Sequence, residues 1–167
     1  INGIMIDIEN RTHSASVGAD DFSFRVGNDD RTDHWNSVLA SSQIVLRPAS
    51  GTQNFDRIVI TWPDHAIQGQ WLQVTVKATD NTGLVEDEVF YWGNAIGESG
   101  NSSADAYVNA LDTGRVRDNA AGILNPATID NNFDFNRDGF VNALDFGAAR
   151  DHATGILSVL RLITPPN

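Results

Sequence analysis

The chain contains no cysteine, which excludes disulfides and thiolate metal sites and leaves the compartment open. No apolar run approaches the roughly 18–20 residues of a membrane-spanning helix, and no secretory leader is visible, so membrane insertion is not expected. Basic residues are scarce, with six against thirteen acidic ones over 1–96 and five against nine over 97–167, for a formal net charge of −11. Neither part offers the basic stripe that nucleic acid demands, so a nucleic-acid partner is not expected. The four histidines, His13, His34, His65 and His152, are scattered without a ligand pair at helical spacing, which argues against zinc. There is no nucleophile elbow and no phosphate-cradling glycine loop. The chain therefore reads as a non-enzyme.

What it does have is an oxygen-rich loop, Asp134 to Asp145 (DFNRDGFVNALD). Asp134, Asn136, Asp138, Asn142 and Asp145 fall at positions 1, 3, 5, 9 and 12, Gly139 at position 6, and Phe140 at position 7, where a backbone carbonyl is used. A hard divalent cation takes six to eight oxygens at roughly 2.3–2.6 Å, and a short loop supplies them only by coiling around the ion, so this spacing points to calcium. Position 12 is Asp rather than the usual bidentate Glu. Being one methylene shorter, it must be drawn closer to the ion.

Shifted by 33 residues, 101–124 superimposes on 134–157, with identities that include Asp105/Asp138, Val108/Val141, Asn109/Asn142, Leu111/Leu144, Asp112/Asp145, Arg117/Arg150 and Leu124/Leu157. This is an internal duplication. The upstream copy carries Asn101 and Ser103 in place of Asp134 and Asn136, which leaves Asp105 and Asp112 as its carboxylates, and Ala106 in place of the glycine. A non-glycine residue at positive φ costs on the order of 1 kcal/mol. Weaker calcium binding is expected there, with Glu98 a candidate extra ligand.

Two tandem loop-helix units with loops of this type resemble a type I dockerin over about residues 98–163. The resemblance implies two calcium sites, one formed by Asp134, Asn136, Asp138, the Phe140 carbonyl, Asn142 and Asp145, the other by Asn101, Ser103, Asp105, the Tyr107 carbonyl, Asn109 and Asp112. It implies a cohesin-like protein partner and an extracellular or cell-surface setting. Partner choice in the family sits largely at loop positions 10 and 11 and along the following helix, which here are Ala110, Leu111, Ala143 and Leu144 with Arg117 and Arg150. Cellulosomal dockerins often carry a hydroxyl pair where this chain has Ala-Leu. The leucines read equally well as core under the following helix.

Upstream, alternation of apolar and polar residues marks strands at Gly3–Glu9, Phe22–Val26, Gln43–Arg47, Arg57–Trp62, Gln70–Thr79 and about 84–92, with a turn at Asp80-Asn81-Thr82-Gly83. Residues 31–42 read as loop with a single helical turn. The expected architecture has two domains. An antiparallel sandwich of Ig-like or cadherin-like type spans 1–93, a glycine-rich linker spans 94–100, and a small all-α dockerin-like domain with duplicated EF-hand-type loops spans 101–167. Its helices are expected to end near Gly122 and Gly155. The apolar stretch 156–163 is expected to pack between them or on the sandwich. Trp62 and Trp92 suit the core, whereas Trp71 faces opposite Leu72. Three functions stay open: attachment through a cohesin-like partner, glycan binding on exposed tryptophan with structural calcium, and an architectural end-piece whose loop-helix pair packs on its own sandwich. A chain that opens at Ile1 rather than Met is expected to be a piece of a longer secreted protein.

Overall fold

A computed structural model describes residues 1–9, 16–37 and 43–165. Residues 10–15, His13 among them, and the 38–42 part of the stretch read as loop lie outside them. The chain divides into two compact units, Ile1–Gly93 and the residues from Asn94 onward.

The first unit is built from strands whose alternating side chains leave one face apolar. β1 (Gly3–Ile8), β4 (Gln43–Arg47) and β5 (Asp56–Thr61) form a three-stranded sheet in the order β1-β5-β4. β2 (Phe22–Gly27), β3 (Asn36–Ser37), β6 (Trp71–Val76) and β7 (Glu88–Gly93) form a second in the order β3-β2-β6-β7. All pairings are antiparallel. Ile4, Ile6 and Ile8 alternate inward from β1, Ile58 and Ile60 from β5, and Leu72, Val74 and Val76 from β6. With Phe22, Trp62 and Ile67 they make one core shared by both sheets, the interdigitated interior of a sandwich. Trp92 packs against this cluster. Trp62 is buried there edge-on to Phe24, with its indole N–H unpartnered.

The last strand begins at Glu88 rather than at 84. The Asp87 carboxylate accepts the Ala78 N–H at 2.8 Å, and the Thr82 hydroxyl donates to the Lys77 carbonyl at 2.7 Å. Side chains thus meet backbone groups that a longer ladder would pair. Asp21 anchors this turn to β2 by accepting the Gly18 N–H, the Thr79 hydroxyl and the Asn81 amide. Burial alone would push its carboxyl up, but these donors outweigh it and the net shift is downward.

The expected all-α second domain is not found. The described residues are mostly β or irregular, with two sheets and only two α-helices, α1 (Ala110–Asp118) and α2 (Ala143–Asp151), of nine residues each. Both stop short of Gly122 and Gly155, at Asn119 and His152, because the chain beyond each helix turns back to pair with a loop. Ala121 exchanges two backbone hydrogen bonds with Val141, at 3.0 and 3.1 Å, and Thr154 donates its N–H to the Val108 carbonyl at 2.9 Å. Ala121 and Thr154 are equivalent in the duplication, as are Val141 and Val108. Each half therefore pairs the segment after its helix with the loop of the other half. Val116, Val141 and Ala149 form the small core, with Phe133 and Phe135 against it.

Candidate metal centre

The two loops run into their helices in the same way. Asn109 and Asn142 are N-caps, accepting the N–H groups of Leu111 and Leu144 at 2.8 Å. Asp112 and Asp145 close each capping box by accepting the Asn109 and Asn142 N–H groups at 2.8 and 2.9 Å. One oxygen of each position-12 aspartate thus has a structural role that owes nothing to a metal.

In the 134–145 loop the remaining acceptors are taken mostly by backbone N–H groups, with the Asn136 amide donating to Asp138 at 2.9 Å. Asp134 accepts from the Asp138 and Gly139 N–H groups at 3.2 and 2.9 Å. The other Asp145 oxygen accepts from Phe135 at 2.7 Å. Asn136 accepts the Asp138 N–H, and Asp138 that of Phe140. The coil is sharp because Arg137 and Gly139 both take left-handed backbone, at φ 59° and 85°. Asp134 and Asp145 are 2% and 0% exposed. Among the described residues neither pairs with an arginine, lysine or histidine. Arg137 instead donates to the Ile129 and Asn131 carbonyls. Two buried carboxylates without a counter-charge are costly, and together with the amide oxygens of Asn136 and Asn142 this donor set fits a hard cation. Among the described residues no three His, Cys, Asp or Glu side chains are gathered as a metal-holding group. Any ion here is held with amide and carbonyl oxygens as well as acids.

The 101–112 loop does not match. Asp112 receives the Ser99 N–H and hydroxyl at 3.0 and 2.8 Å and the Asn101 amide at 3.0 Å, besides its cap bond. Asp105 accepts from Tyr107 N–H and the Ser102 hydroxyl. The exposed Ser103 is brought to none of these oxygens by a described hydrogen bond. Glu98 caps the Gly100 and Asn101 N–H groups. Ala106 avoids positive φ altogether and forms a bridge with Leu160. Ser99 carries no signal in the ligand pattern, because it lies before the loop's first position.

The residues expected at a partner surface are all out in solvent. Leu111 and Leu144 are 67% and 64% exposed, so the alternative of helix-covered core is excluded for both. Ala110 and Ala143 are exposed, as are Arg117 and Arg150, which pair with Asp118 and Asp151 at 2.9 and 2.8 Å. The apolar stretch after α2 is not packed away as expected. Ile156, Leu157 and Leu162 are exposed and only Val159 and Leu160 are buried, because Gly155 accepts the Ser158 and Val159 N–H groups and makes 156–157 the tip of a turn. On the sandwich, Trp71 lies half-buried on the outer face of its sheet, in one cross-strand row with Gly27 and Gly93.

Among the described residues no helix is long and apolar enough to cross a membrane. Compared with family models, with curated proteins and with solved structures, the chain matches none, so its function is argued from its own residues.

Proposed function

We propose that this chain is a non-catalytic attachment module of an extracellular or cell-surface protein, in which a type I dockerin-like loop-helix pair binds calcium at 134–145 and docks onto a cohesin-like domain. The reading rests on the duplicated loop pattern and not on an all-α fold, which the described residues do not form. The observation that carries it is the exposure of Leu111 and Leu144. These are large apolar side chains at equivalent places in two repeats, each at the start of a capped helix and each followed by an exposed Arg-Asp pair. A soluble surface gains nothing from showing the same leucine twice, whereas a partner that buries the two-thirds of either one still exposed gains about 1–2 kcal/mol from it. Calcium enters through Asp134 and Asp145, whose buried charges it would neutralise and whose loop it would tighten. The test is surface plasmon resonance of the whole chain over immobilised type I cohesin domains, in CaCl2 and in EGTA. Binding in calcium, loss in EGTA and loss in the Leu111→Asp/Leu144→Asp double variant are expected. A calcium-saturated chain that ignores every cohesin tested, or a double variant that binds as well as wild type, sinks the docking half of the reading.

A further inference from the structure

We propose that the 101–112 loop holds no ion and is closed by its own side chains, with Ser99 and Asn101 standing at Asp112 where a cation would otherwise stand. The inference rests on reading 134–145 as the calcium loop of the pair, since that loop is the standard from which the upstream one departs. A carboxylate oxygen offers about two acceptor sites, and three donors crowd one oxygen of Asp112, the Ser99 N–H, the Ser99 hydroxyl and the Asn101 amide, while the other accepts the Asn109 N–H, all within 2.8–3.0 Å. Asp145 receives main-chain N–H groups only. Asn101 is the would-be first ligand and Asp112 the last, so in this loop the two ends are already bonded to each other. An ion at Asp112 would have to compete there with three donors on one oxygen.

The backbone argues the same point independently. The second loop coils through left-handed residues at its fourth and sixth positions, Arg137 and Gly139, whereas Ala104 and Ala106 at those positions are not left-handed and Ala106 is committed to its bridge with Leu160. The charge agrees as well, because Asn101 replaces Asp134 and leaves one buried carboxylate where the other loop has two. The halves are therefore unequal. The ion's ligands lie in the α2 half alone, while the upstream loop keeps its own bonds to Asp112 with or without the ion.

The test is the number of ions bound by the calcium-stripped full chain, counted by titration calorimetry with CaCl2 and by native mass spectrometry. One ion per chain is expected, lost in Asp145→Asn and retained in Asp112→Asn. Two ions, with the second lost in Asp112→Asn, would overturn the proposal and leave the calcium reading of 134–145 standing. No ion at all would remove that reading instead. Amide exchange then decides the upstream loop on the unmodified chain. Ser99 and Asn109 N–H groups that gain no more protection from CaCl2 than the core amide of Val116 in the same unit support closure without metal, and a gain well beyond that of Val116 overturns it. The same gain is expected at Phe135 and Asn142 if their loop takes the ion.

Discussion

At the scale of single residues, glycine does opposite things within one small unit. Gly97 sits at φ +87°, and a Cβ on it would lie 2.6 Å from the Ala149 Cα in α2, so Gly97→Ala meets backbone rather than a side chain that can swing away. Overpacking of this kind costs about 1–3 kcal/mol, and the left-handed conformation adds on the order of 1 kcal/mol. Gly114 and Gly147 lie inside α1 and α2, where an added methyl group would find nothing within 4 Å, and alanine there should stabilise by about 0.5–1 kcal/mol each. Urea unfolding of the three variants should separate them by sign. If Gly97→Ala proves as harmless as Gly147→Ala, the close approach is wrong. The sequence cannot tell these uses apart. Residues 94–100 read as a spacer because small residues and glycine mark linkers, yet in the structure Gly97 is where backbone meets helix. Likewise the ligand pattern names Asp112 and Asp145 alike, and only the folded chain reveals that Ser99, outside the pattern, fills one of them.

At the scale of elements, strands are legible in the sequence and helix lengths are not. Period-two alternation locates β1, β4, β5 and β6 to within a few residues, because one apolar face is all a sandwich strand needs. Helix ends depend on what the following residues pair with, and Ala121 and Thr154 are taken by loops of the other half. The sandwich also carries an element-level ion pair. Arg57 on β5 grips Asp7 on β1 through two bonds of 2.8 and 2.9 Å, and Thr52 N–H adds a third at 2.8 Å, tying the turn before β5 to both strands. The Arg57 guanidinium first, and then the Thr52 N–H, hold the Asp7 carboxyl well below the usual carboxylate range. Its folded value lies below its unfolded one near 3.9, so its contribution is complete above about pH 4 and drains away as pH falls through the folded value. Asp7→Asn should therefore weaken the sandwich at pH 7 and flatten its loss of stability in acid. Urea midpoints at pH 7, 4 and 2.5 check this, and parallel decline of variant and wild type would show that another group carries the acid dependence.

At the scale of the whole molecule, the duplication is visible in the sequence, while the architecture departs from the all-α expectation because residues expected to lengthen the helices are used in cross-pairing instead. Two compact units with separate cores and an acidic balance in each should answer calcium differently. On the calcium reading proposed above, the ion would act on the second unit alone, where among the described residues Asp134 and Asp145 are buried without a counter-charge. At calcium a hundred times its Kd the linkage is worth about 2.7 kcal/mol, and with a shift of about 4–8 °C per kcal/mol for a unit of this size the melting temperature should rise on the order of 10–20 °C. The sandwich, whose core contains no calcium ligand, should melt at the same temperature in EGTA as in CaCl2. Differential scanning calorimetry of the full chain reads both transitions at once, and Asp145→Asn should leave the second unit's transition indifferent to calcium. If both transitions climb together, the ion is acting on the sandwich as well. If neither moves, the buried pair Asp134 and Asp145 is held by its backbone donors alone and the loop is a turn, not a metal site.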